Sequence, residues 1–60
     1  MSTISPLSVV DPSARLGAGV VIGPFCTVGP HVVLEDKVEL VSHVAVAGHT
    51  TVGARTRIYP

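Results

Sequence analysis

Chemistry in this 60-residue chain would have to come from His31, His43, His49 and Cys26. A neutral imidazole can ligate a divalent metal, and it can take a proton from an attacking hydroxyl when a partner group orients it. A thiol can act as a nucleophile where its surroundings favour the thiolate. The residue spacing completes none of these arrangements. No Asp or Glu stands at a separation that clearly orients any of the three rings. The polar groups that back up metal-bound histidines are scarce in a chain without Asn or Gln. The histidines therefore read as structural, and Cys26 reads as a small core residue. No residue is assigned a catalytic, substrate-binding or metal-ligating role, and no cofactor is expected.

Composition narrows what could position these side chains. Ile, Leu and Val fill 19 positions, Phe25 and Tyr59 are the only aromatics besides the imidazoles, and Trp is absent. Four basic residues balance four acidic ones. Arg15, Lys37, Arg55 and Arg57 make no strong basic patch, so a nucleic-acid partner is not expected. A hydrophobic content of 47% with 13% charged residues excludes disorder. One cysteine excludes an intramolecular disulfide framework and the Cys-rich zinc modules, and it fits a reducing compartment. The uncharged run from Leu16 to Leu34 has about the length of a membrane-spanning helix. Gly17, Gly19, Gly23, Pro24, Gly29 and Pro30 interrupt it too often for that, so no membrane insertion is expected. The first basic residue is Arg15, which leaves no basic segment ahead of an apolar run and argues against a signal peptide. A globule of this size buries only about 60% of the surface its unfolded chain exposes. Without disulfides, such a chain needs repetition, oligomerisation or further sequence to be stable.

Repetition is present. Every sixth residue from Ile4 gives Ile4, Val10, Leu16, Ile22, Val28, Leu34, Leu40, Val46, Val52 and Ile58, an unbroken aliphatic column. Chance produces such a column on the order of once in 100,000 sequences of this composition. Four residues after each aliphatic comes a second column of small or β-branched residues: Ser8, Ala14, Val20, Cys26, Val32, Val38, Val44, Thr50 and Thr56. Gly17, Gly23, Gly29 and Gly53 follow the aliphatics directly, and all five prolines fall one place later. No charged residue enters either apolar column.

The geometry follows from the period. Thr50-Thr51-Val52 alternates in, out, in, as a strand does, and Gly53-Ala54-Arg55 supplies a turn. A helix would rotate about 240° per six residues and scatter the aliphatic column over three faces. Antiparallel hairpins would need longer strands. The expected fold is all-β: a solenoid of very short strands with the aliphatics stacked inside.

This is the hexapeptide repeat of the parallel β-helices. Proteins similar to it wind as a left-handed parallel β-helix in which three hexads close one triangular coil. On that basis the chain makes about three coils, a prism roughly 16 Å tall at strand spacing. A coil of three hexads stacks Ser8, Cys26 and Val44 inside. It places Glu39 beneath Arg57 in a weak exposed pair and puts Lys37 with Arg55 on one corner. The histidines fall on outward corners, with His31 under His49 and Phe25 under His43.

Local wording points further. Ile22-Gly23-Pro24-Phe25-Cys26-Thr27-Val28-Gly29-Pro30-His31-Val32, Ser42-His43-Val44-Ala45-Val46-Ala47-Gly48-His49-Thr50-Thr51-Val52-Gly53 and Ile58-Tyr59-Pro60 closely resemble the first coils of the bacterial UDP-N-acetylglucosamine O-acyltransferases of lipid A synthesis. The resemblance implies a cytoplasmic homotrimer with active sites between neighbouring β-helices. There an R-3-hydroxyacyl chain passes from acyl carrier protein to the 3-hydroxyl of UDP-N-acetylglucosamine. It also implies a histidine general base, with no metal in the chemistry, and places that base on coils beyond position 60. Residues 1–60 then form N-terminal coils without an internal boundary, inactive in acyl transfer by themselves. Other hexapeptide proteins are the alternatives. The γ-type carbonic anhydrases gather three histidines on zinc across a subunit interface, whereas a non-enzymatic β-helix would offer a flat binding face. An ice-binding face would carry a regular outward Thr grid. The outward column Val9, Arg15, Val21, Thr27, Val33, Glu39, Ala45, Thr51 and Arg57 is too irregular for one.

Overall fold

Each hexad folds as a short strand followed by a turn. The computed structural model describes residues 2–60 and holds β1 (Thr3–Ile4), β2 (Val9–Val10), β3 (Arg15–Leu16), β4 (Val21–Ile22), β5 (Thr27–Val28), β6 (Val32–Leu34), β7 (Glu39–Leu40), β8 (Ala45–Val46), β9 (Thr50–Val52) and β10 (Arg57–Ile58). No helix occurs among the described residues. Strands this short cannot make a stable hairpin by themselves. They are stabilised instead by stacking, each on the strand one coil away.

Three parallel sheets result. The first runs β1-β4-β7-β10, the second β2-β5-β8 and the third β3-β6-β9. Every ladder joins residues 18 apart, as in Thr3↔Val21, Val9↔Thr27, Arg15↔Val33 and Glu39↔Arg57. Three hexads therefore complete one turn, and the chain is a parallel β-helix of about three turns. Its Cα envelope measures 21 × 20 × 20 Å. Backbone donors reach carbonyls of the neighbouring coil, for example Val21 N–H to Val38 O at 2.9 Å and Gly23 N–H to Leu40 O at 2.7 Å.

Burial separates the two faces of each strand. In β5 Thr27 is exposed and Val28 is buried; in β4 Val21 is exposed and Ile22 is buried. Both apolar columns build the core, with Ile22, Val28, Leu34 and Leu40 from one and Val20, Cys26, Val32 and Val38 from the other. Each fully buried Val, Leu or Ile contributes about 1.5–3 kcal/mol of transfer free energy. That supply needs neither an aromatic cluster nor a disulfide. The columns open at the two end coils, where Ile4 is 42% exposed, Ile58 is half-buried and Thr56 is exposed. The sequence pattern gives these positions the same inward direction as the rest of their columns.

The corners explain the turn residues. Gly19, Phe25, Lys37, His43 and Arg55 all occupy the fourth hexad position and all have φ between 52° and 71°. Only glycine adopts that left-handed region without cost. On the remaining corner His31 and His49 lie outside it, and Gly48 takes φ 70° instead. The strands that follow, β6 and β9, are one residue longer than the other eight. Gly23 serves a different need: a Cβ there would sit 1.8 Å from the Val41 carbonyl oxygen. Neighbouring coils approach at that point to a distance that only glycine tolerates.

Candidate functional site: the histidine corners

The 18-residue pitch brings the corner residues into ladders. His31 and His49 stack with ring centroids 4.4 Å apart and planes 9° apart. Both are exposed. A groove of about 320 Å³ lies beside them, lined also by Ser13, Arg15 and Val33. On another corner the Phe25 and His43 rings are 5.1 Å apart and tilted by 31°. The tilted Phe25–His43 contact suits the quadrupole of aromatic faces. The three imidazoles thus divide into a stacked pair and a single ring on a different corner. Among the described residues, no three His, Cys, Asp or Glu side chains gather where they could hold a metal ion.

Cys26 is a free thiol, 1% exposed, in the interior column between Ser8 and Val44. Its Sγ lies 3.7 Å from the Pro24 carbonyl oxygen. A thiol enclosed in this way packs as a small hydrophobe and offers no approach to a substrate.

The charged residues lie mostly on other surfaces. Arg57 Nε donates to Glu39 Oε1 at 3.1 Å across the β7–β10 ladder, the one ion pair among the described residues. Arg57 also donates to the Tyr59 hydroxyl at 3.4 Å. That hydrogen bond first, and the Glu39 charge second, hold the guanidinium pKa above its ordinary value. The pair is open to solvent, so it contributes little to stability. Lys37 and Arg55 share a corner with Gly19, as the pitch requires, and their backbone N–H groups donate to Ala18 O and Asp36 O.

Two arrangements have no clear signal in the sequence. Asp36 Oδ1 accepts the Ala18 N–H at 2.9 Å, one coil below, and it lies where a Cβ on Gly17 would be 2.4 Å away. A carboxylate and a glycine 19 positions apart can be matched only once the coil pitch is known. A shallow groove of about 400 Å³ runs past this carboxylate between Arg15, Val33 and Glu35. The second arrangement is at Ser8, whose hydroxyl donates to Gly23 O and accepts the Cys26 N–H at 2.9 Å. By sequence Ser8 is simply a small member of the inward column.

Among the described residues, no helix is long and apolar enough to cross a membrane. Comparison of the chain with protein-family models, with curated proteins and with solved structures finds no match.

Proposed function

We propose that this chain forms the opening coils of a hexapeptide-repeat acyltransferase. In this reading the whole enzyme transfers an R-3-hydroxyacyl chain from acyl carrier protein to the 3-hydroxyl of UDP-N-acetylglucosamine, the first step of lipid A synthesis. One observation carries the reading. The two longer stretches that resemble this family lie on consecutive coils, with Gly29-Pro30-His31 directly beneath Ala47-Gly48-His49 in the β6–β9 register Val32↔Thr50. The wording and the three-hexad pitch therefore agree in one geometry.

The role of these residues is that of a scaffold. The buried columns and the 18-residue ladder present a rigid edge on which further coils stack, and rigid elements position a catalytic base better than loops do. Acyl transfer needs a base within hydrogen-bond reach of the acceptor hydroxyl. His31, His43 and His49 are not given that role, because the family places its base on later coils. The same reading carries a cytoplasmic homotrimer.

A chimera tests the proposal. Residues 2–60 replace the corresponding coils of an enzyme with established UDP-N-acetylglucosamine O-acyltransferase activity. Sedimentation then reports assembly, and turnover is measured with 3-hydroxyacyl-acyl carrier protein. The expected result is a trimer with measurable transfer, while the 60-residue chain alone gives none. A folded, trimeric chimera without transfer would overturn the reading, and so would turnover by the short chain.

A further inference from the structure

We propose that His31 and His49 form a two-imidazole site for a divalent transition cation of the nickel, copper and zinc group, separate from any acyl-transfer chemistry. The argument begins with distance. A cation bound to two imidazole nitrogens sits about 2.0–2.1 Å from each, so the nitrogens it bridges are at most about 4.2 Å apart. The two rings are immediate neighbours, with centroids 4.4 Å apart, but they lie face to face with planes 9° apart, so their in-plane nitrogen lone pairs do not converge in the stacked arrangement. Binding therefore takes rotation of both rings about their side-chain torsions, out of the stack, so that one nitrogen of each faces the shared cation.

The rings are free to rotate. Both residues are exposed, and none of the side-chain hydrogen bonds of the described residues uses an imidazole. The backbone beneath them is well held. β6 and β9 pair over three residues, Val32↔Thr50, Val33↔Thr51 and Leu34↔Val52, where other ladders pair over two. The first ring to bind a cation therefore presents it to the second at high effective concentration. His43, the remaining histidine, lies on a different corner against Phe25 and has no second imidazole.

The chemistry selects the ligand class. Imidazole favours nickel, copper and zinc over calcium or magnesium, which prefer oxygen donors. No third protein ligand is in place among the described residues, so water completes the coordination sphere. Arg15 lines the same groove, and its charge opposes the cation. Both features set a modest affinity and leave coordination positions open to a further ligand.

The test is calorimetric titration of the purified chain with nickel chloride at neutral pH, repeated for His31→Phe, His49→Phe and His43→Phe. Phenylalanine keeps an aromatic ring in the ladder and removes the ligand, so it distinguishes coordination from stacking. One nickel ion per chain is expected, with at least about a tenfold loss of affinity in each of the first two variants and no change in the third. Proton NMR of the parent chain gives a second reading that needs no variant. Nickel at substoichiometric levels is expected to broaden the ring signals of His31 and His49 before those of His43. Absence of saturable binding, equal broadening of all three rings, or undiminished affinity in His31→Phe or His49→Phe would each overturn the site.

Discussion

Ser8 lies directly beneath Cys26, and its hydroxyl accepts the Cys26 N–H at 2.9 Å while donating to the Gly23 carbonyl. The interior column Ser8-Cys26-Val44 is therefore polar at its first rung and apolar above it. Ser2 repeats part of the motif one hexad earlier, donating to Gly17 O at 3.2 Å. Both bonds span 15 residues. In the first coil, side-chain hydroxyls thus satisfy backbone groups of the coil above.

Ser8→Ala removes this bridge and leaves the N–H of a buried residue without its partner. The expected destabilisation is about 1–3 kcal/mol, the usual cost of an unsatisfied buried polar group. Urea unfolding followed by circular dichroism measures it. An unchanged midpoint would mean that the hydroxyl contributes nothing to the stack.

Val20 and Val21 provide a test of the in–out alternation, since they are adjacent and chemically identical. Val20 is fully buried, and Val21 is 39% exposed. Val20→Thr places a hydroxyl in the core and should cost about 1–3 kcal/mol. Val21→Thr should stay within about 0.5 kcal/mol of the parent. Equal effects at the two sites would contradict the assigned faces.

Gly23 and Gly53 occupy the same hexad position, yet the coils treat them differently. A Cβ at Gly23 meets the Val41 carbonyl, whereas one at Gly53 meets nothing within 4 Å. Gly23→Ala should destabilise by at least about 2 kcal/mol through overpacking against backbone. Gly53→Ala should stabilise by about 0.4–1 kcal/mol by restricting the unfolded chain. Thermal melts of the two variants side by side read out the contrast. A neutral Gly23→Ala would show that the coils can separate there at no cost.

Much of this architecture is legible in the residues themselves. The aliphatic column from Ile4 to Ile58 determines which side chains point inward, because a strand alternates its faces and a six-residue step is even. The Gly and Pro columns determine where the chain turns. Given three hexads per coil, supplied by resemblance and not by periodicity, the pairs His31–His49, Phe25–His43 and Glu39–Arg57 could be placed before any coordinates, and the structure brings each pair together.

Tertiary structure decided the rest, for a physical reason. A one-dimensional period shows the direction of a side chain but not the distance between coils. The carboxylate of Asp36 over Gly17, the carbonyl of Val41 over Gly23 and the hydroxyl of Ser8 under Cys26 are all close approaches between backbones a full coil apart. The corners diverge in the same way. Lys37, His43 and Arg55 take the left-handed conformation at the fourth hexad position, while His31 and His49 do not, and Gly48 turns in place of His49. Closing the coil over three corners distributes those backbone angles among them. That closure leaves His31 and His49 outside the left-handed region that His43 adopts on its own corner, a difference the shared hexad position does not show.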